Sequence, residues 1–358
     1  MQEALLYAVL VQLVYVLDHL YPTTGPFYAI PKAPPLGLLP SPYPSPLMKQ
    51  FIPSGAFSIV RRLDRPPLQD PIILKEIHAP PFLRRLLPLM VWQEVYALKR
   101  VHGLTCAPQY LGHWSSRPRE MVTLAMSHVG NINLQQLGHH PDSQTILVRH
   151  MRFLAAEMAS ILRALHRRGL THNDVQPANF VLGEDGHVRI VDFGLAKVRS
   201  TGHDGKSRLH VYWQQILLVG YTDIVDPALV TKETPEWEDL VAGDWFALGA
   251  TLHYLLTGKY PVREAYAGRL QHHLSQVDPN LENLVNGLLA RRGKRLTDFN
   301  GGWHRLMKHP YWQDVEWLQH EKFSIVPPPE LVELAQTFKH QAFPAPKSPP
   351  RSALLSRL

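Results

Sequence analysis

The sequence predicts an α+β fold of two lobes, a small β-rich N-lobe over 50–127 and a larger, mostly helical C-lobe over 128–320. Three observations carry this expectation. From 51 to 126 the chain reads as short strands interrupted by one helix near 87–101. From about 145 onward the apolar spacing becomes helical. A dense group of polar residues suited to chemistry, between 172 and 194, lies just past that junction. A strand-rich piece followed by a helix-rich piece fits two packed layers of different kind.

The ends of the chain differ from the middle. Residues 4–17 are apolar except Gln12, and Glu3 and Asp18 bracket them. As a helix at ~1.5 Å per residue they would span about 21 Å, less than the ~30 Å hydrocarbon core of a bilayer. The first Lys or Arg is Lys32, so the basic n-region of a secretory signal is missing. Residues 1–20 therefore read as an apolar helix that packs on the protein or contacts a membrane or partner, with a cleaved signal as the remaining alternative. Nine prolines fall within 22–46, a composition that builds neither helix nor inner strand, so 21–49 reads as an extended linker. A second proline-rich stretch, 321–358, reads as a tail carrying a short amphipathic helix near 330–341.

Between these ends, 147–168 places Leu147, Met151, Leu154, Ala155, Met158, Leu162 and Leu165 on one helical face, with Gly169 as its stop. Two short strands, 180–182 and 188–191, flank Glu184-Asp185-Gly186, a hairpin turn. Hydrophobic residues make up 45% of the 358, enough for a real core, and charged residues only 19%, low for a disordered chain. The net charge of +7 is spread along the sequence without a dense basic tract, so nucleic acid is not an expected partner. The single cysteine, Cys106, excludes an internal disulfide framework and suits a reducing compartment.

The polar group reads His172-Asn173-Asp174-Val175-Gln176-Pro177-Ala178-Asn179, followed by Asp192-Phe193-Gly194. An Asp, an Asn five residues on and a second Asp form the layout of a phosphoryl-transfer site. The stretch resembles the catalytic and magnesium loops of eukaryotic protein kinases. That resemblance implies that Asp174 orients the acceptor hydroxyl and takes its proton. It implies that Asn179 and Asp192 hold Mg2+ against the phosphates of ATP, with His172, Phe193 and Gly194 in support.

Further matches lie on both sides. The segment Pro53-Ser54-Gly55-Ala56-Phe57-Ser58-Ile59-Val60 stands where the family has its glycine-rich phosphate loop. The implied ATP contacts there are Pro53, Gly55, Ala56, Phe57 and Val60, although Gly55 is the one glycine kept. Ile72-Ile73-Leu74-Lys75 resembles the strand ending in the ATP-binding lysine, with Glu94 on the following helix as its ion-pair partner. Ile73 replaces a smaller residue above the adenine ring and narrows the pocket. Met126 resembles the gatekeeper, and backbone groups at Ser127 and Val129 would bond adenine. Asp244, in Gly243-Asp244-Trp245-Phe246-Ala247-Leu248-Gly249, would brace the catalytic loop. Arg295 fits the place of a buried arginine whose usual glutamate partner is absent, because Val225-Asp226-Pro227-Ala228 ends in alanine.

Two departures bear on chemistry. Asn173 stands where many kinases have arginine, and Gln176 where Ser/Thr kinases carry a lysine that offsets phosphoryl charge. The reading is a protein kinase that passes the γ-phosphate of ATP to Ser or Thr of a protein substrate, with cytoplasmic placement and nuclear or membrane-associated placement as alternatives. One alternative is a pseudokinase that binds nucleotide without turnover. A second is a small-molecule phosphotransferase of the aminoglycoside or choline type, which shares His-Asn-Asp; Asp192-Phe193-Gly194 and the helix around Asp244 weigh against it.

Overall fold

The computed structural model describes residues 48–52, 58–65, 69–78, 87–117, 121–199, 224–230, 235–261, 278–297 and 302–338. The apolar segment 1–20, the linker up to residue 47 and the loop residues 53–57 lie outside the described residues. The chain forms two compact units. The first comprises 108–128 and the described residues up to His102; the second comprises 103–107 and the described residues from Val129 onward.

Among the described residues the first unit is a five-stranded antiparallel sheet with one helix. Its elements are β1 (Met48–Ile52), β2 (Ser58–Arg65), β3 (Gln69–His78), α1 (Leu87–Arg100), β4 (Tyr110–Arg117) and β5 (Met121–Ser127). The sheet order is β1-β2-β3-β5-β4. Leu63, Ile72, Leu74, Trp114 and Ala125 form a buried cluster on the sheet. Helix α1 buries Leu87, Val91, Glu94, Val95 and Leu98, the i, i+4, i+7, i+8, i+11 pattern of one helical stripe, which faces β3, β4 and β5. Glu94, a charged residue, lies within that apolar stripe.

Among the described residues the second unit is helical around two small sheets. In order it contains β6 (Ile132–Asn133), α2 (Leu134–Gly138), α3 (Pro141–Arg149), α4 (Met151–Arg167), β7 (Leu170–Thr171), β8 (Phe180–Leu182), β9 (Val188–Ile190) and β10 (Lys197–Val198). Then come α5 (Pro227–Val230), α6 (Trp237–Thr257), α7 (Pro279–Leu289), α8 (Gly302–Met307), α9 (Trp317–Glu321) and α10 (Pro329–Thr337). Helix α6 is buried along almost its whole length from Leu240 to Leu255, as a central helix must be. Gly169 has φ +68 and ends the α4 segment, a conformation glycine adopts without Cβ strain. Cys106 is buried, and burial pushes its thiol up to about 12, so it is a packing residue rather than a nucleophile.

Two expectations change. The single helix over 147–168 is two helices, α3 and α4, broken at His150 (φ −101, ψ 21). The imidazole of His150 contacts Glu330 and Arg149 donates to the same carboxylate at 2.6 Å. Leu147 therefore belongs to α3. The expected tail is also partly folded: α9 packs on α4, and α10 packs on α3 with Leu331, Leu334 and Ala335 buried. Glu321 bonds Arg163 and Arg167 of α4. Phe323 stacks on His187 at 4.6 Å, and the other face of this corner is Phe153, 5.3 Å from His320. Among the described residues no helix is long and apolar enough to cross a membrane.

His320 is 3% exposed, and burial, with a smaller effect from nearby His187, pulls its imidazole from 6.5 down to about 4. The unfolded chain then binds more protons than the folded one between these values. The stability it contributes is complete above about pH 6.5 and is lost as pH falls toward about 4. His320→Phe keeps a ring against Phe153 and cannot charge. Urea midpoints from pH 7 to 4.5 should fall less steeply for His320→Phe than for the native chain; equal slopes would contradict this assignment.

Candidate active site

Strand β3 positions the first part. Lys75 is opposite Val60 of β2 and Leu124 of β5, and Ile73 is opposite Met126. The Lys75 Nζ lies 2.8 Å and 3.0 Å from the two carboxylate oxygens of Glu94. Both residues are buried, at 7% and 3% exposure. Val60 and Ile73 are half-buried and Met126 is buried. Ser127 ends β5, where its Oγ accepts from the Gln109 N–H at 2.8 Å and its own N–H donates to the Gln109 carbonyl at 2.9 Å. Val129 begins the longer of the two segments of the second unit. Pro53, Gly55, Ala56 and Phe57 lie outside the described residues.

The loop chemistry lies in the second unit. Asp244, on α6 and 1% exposed, accepts the His172 N–H at 2.9 Å and the Asn173 N–H at 2.7 Å, and also bonds His166 Nε2 at 2.8 Å. Asn173 has φ +60, a left-handed conformation uncommon for a residue with a side chain. Its amide nitrogen donates to the Thr171 hydroxyl at 3.1 Å and the Leu195 carbonyl at 3.0 Å. The residue expected as a mere loss of positive charge is thus a tether that holds the turn.

His172 is fully buried. Its Nε2 faces the Val191 carbonyl at 3.1 Å, which only accepts, so Nε2 carries a proton; Nδ1 accepts the Asp174 N–H at 3.3 Å. Its ring meets Phe193 edge to face at 5.2 Å, and Phe193 is also fully buried. Asp192 has φ +63, and its Oδ1 accepts the Gly194 N–H at 3.2 Å. The Val191 N–H donates to the Asn179 carbonyl at 2.9 Å, tying the Asp192 loop to the Asp174 loop.

The Asn179 amide donates to the Asp174 carbonyl at 2.8 Å and to its Oδ2 at 2.7 Å. Gln176 Nε2 donates to Asp174 Oδ1 at 2.7 Å. Burial, and then the charge of Asp192, hold the Asp174 carboxyl above its ordinary value, and the two amides act against that rise. A cation near Asp174 and Asp192 would offset this repulsion. Asn179 spends its amide hydrogens on Asp174, which leaves its carbonyl oxygen as the group that can ligate. That oxygen and the Asp192 carboxylate are hard donors of the kind magnesium takes.

The structure supplies a carboxylate that sequence reasoning missed. Arg295 Nη1 bonds Asp226 Oδ2 at 2.5 Å and the Ala242 carbonyl at 3.1 Å, and Nε donates to the Ala290 carbonyl at 3.0 Å. The guanidinium also lies 5.0 Å from the Phe246 ring centroid. Asp226 therefore takes the role expected of an acid at 228. Asp226 Oδ1 also accepts the Ala228 N–H at 3.0 Å, capping α5. An Asp before a Pro is a helix-start signal, and it could have located this residue.

The protein kinase domain model matches residues 48–312. The chain belongs to the protein kinase family. Similar curated proteins include a probable cAMP-dependent protein kinase catalytic subunit of Encephalitozoon cuniculi, 26% identical over 259 residues, which cover 69% of this chain and 72% of that protein. The beta-adrenergic receptor kinase 1 of Mus musculus is 30% identical over 210 residues, covering 54% and 28% respectively. The 3-phosphoinositide-dependent protein kinase 1 of Mus musculus is 31% identical over 190 residues, covering 50% and 32%. The match thus spans about a third or less of the two mouse proteins. The two-lobe α+β expectation is the fold of this kinase.

The Asp226–Arg295 pair is almost fully buried, so removing one partner strands a charge. Asp226→Asn should destabilise the second unit by about 3–5 kcal/mol, whereas the apolar double change Asp226→Leu with Arg295→Met should cost much less. Urea unfolding of the three proteins decides this. Equal losses in the single and double variants would mean that the pair does not act as a unit.

Proposed function

We propose that this kinase is catalytically active and transfers the γ-phosphate of ATP to Ser or Thr hydroxyls of protein substrates, with magnesium. The buried Lys75–Glu94 pair carries the reading. Desolvating two charges costs about as much as their attraction returns, so such a pair is poor evidence for stability and better evidence for a task. The task here is to hold a lysine ammonium ready for the α- and β-phosphates. The relatives named above as protein kinases support transfer to protein substrates.

Asp174 accepts a hydrogen bond from the acceptor hydroxyl and takes its proton as the hydroxyl oxygen bonds to the γ-phosphorus. The bond from that phosphorus to the β,γ-bridging oxygen breaks, and ADP leaves. Asn179 and Asp192 would hold magnesium, which supplies charge neutralisation on the phosphates when bound. The backbone of Ser127 and Val129 would bond adenine, and Ile73 opposite Met126 would set a tight ceiling over the ring.

Asp174→Asn should abolish transfer from Mg-ATP to a degenerate Ser/Thr peptide mixture and leave ATP affinity within a few-fold. Lys75→Met should abolish transfer and also weaken ATP binding about tenfold or more. Chelating the divalent cation should stop native turnover. Native-like turnover by Asp174→Asn would refute the assignment, and tight nucleotide binding by a native protein without transfer would identify a pseudokinase.

A further inference from the structure

We infer that Gln176 is a positioning residue for the Asp174 carboxylate: its amide clamps one carboxylate oxygen while Asn179 clamps the other. The inference rests on the proposed kinase activity. It begins with the backbone. Pro177 disfavours helical geometry for the residue before it, and Gln176 is extended (φ −151, ψ 159). In an extended stretch alternate side chains share a face. Val175, between the two polar residues, is fully buried, and its carbonyl accepts from the Thr251 hydroxyl of α6 at 3.3 Å. Asp174 and Gln176 are thereby left on the same side, 2.7 Å apart at Oδ1 and Nε2.

The direction of this bond is settled by chemistry. An ionised carboxylate oxygen only accepts, so the Gln176 atom facing it is the nitrogen. The opposite oxygen, Oδ2, receives Asn179 Nδ2, also at 2.7 Å. With a donor on each oxygen, rotation of the carboxylate about its own axis would break two bonds. Each oxygen keeps a further lone pair, so an acceptor hydroxyl can still be received. A neutral amide at 176 thus contributes orientation where a cation would contribute charge.

The contact makes a demand that packing alone does not. Gln176→Met preserves length and bulk and removes the donor. Gln176→Asn keeps an amide and withdraws it by one methylene. Gln176→Lys keeps a donor of similar reach. On the full chain, with Mg-ATP and the degenerate Ser/Thr peptide mixture, kcat should fall about tenfold or more in the Met and Asn variants, because small misplacements of a reacting group carry losses up to ~100-fold. The KM for ATP, the affinity for a fluorescent ATP analogue and the melting temperature should stay at native values. Gln176→Lys, which restores a donor, should recover kcat well above that of the Met and Asn variants, and a kcat as low as theirs overturns the clamp. Native kcat in Gln176→Met, or a loss expressed in KM alone, overturns the clamp while leaving the kinase reading in place. If Gln176→Met unfolds, Gln176→Asn and Gln176→Lys carry the same comparison. A native protein that transfers no phosphate overturns both.

Discussion

The carboxylate of Asp244 is the interaction on which the site depends. It receives two successive backbone N–H groups, those of His172 and Asn173, from inside the core of the second unit. Asn173 is left-handed at that point, a conformation a non-glycine residue keeps when its surroundings over-determine it. Asp244 supplies that constraint from one side, and the Asn173 side chain, bonded to Thr171 and Leu195, supplies it from the other. Because α6 is buried almost throughout, Asp244 itself has little freedom to move.

From that anchor the geometry propagates by contacts rather than by sequence. His172 passes the constraint to Val191 and Phe193, hence to Asp192. Val175, bonded to Thr251 of α6, fixes the face on which Asp174 and Gln176 project. Arg295 reaches the Ala242 carbonyl near the start of the same helix and brings Asp226 with it. The helix that holds the 172–174 loop therefore also holds Asp226, beyond Asp192 in the chain. The first unit solves a separate problem, placing one lysine and one glutamate nineteen residues apart in bonding distance by setting a strand against a helix.

The parts legible in the sequence were those whose chemistry fixes residue type at short spacing. His172, Asp174, Asn179, Asp192 and Phe193 announce themselves this way, and so did Asp244 within its glycine-flanked helix. The strand–turn–strand around Gly186 and the helix over 87–100 were legible for a related reason: local periodicity and turn residues set them. What escaped depended on partners far along the chain. The break at His150 is invisible to periodicity, because the apolar stripe runs through it and Glu330 sits 180 residues away. Asp226 was overlooked because the family pattern placed an acid at 228, while the fold asks only for a carboxylate within reach of Arg295. The docking of α9 and α10 on α3 and α4 was hidden by flanking prolines. Gln176 read as a missing charge; its bond to Asp174 becomes visible when Val175 is known to point inward.

Asp244 sets the orientation of the loop that carries Asp174. Single-turnover phosphoryl transfer in Asp244→Asn, measured beside ATP affinity, tests it most directly. An amide can accept on one oxygen only, so one of the two loop N–H groups loses its partner. Transfer should fall about 100-fold while ATP affinity stays within a few-fold of native. Transfer at the native rate, in a protein as well folded as the parent, would contradict it.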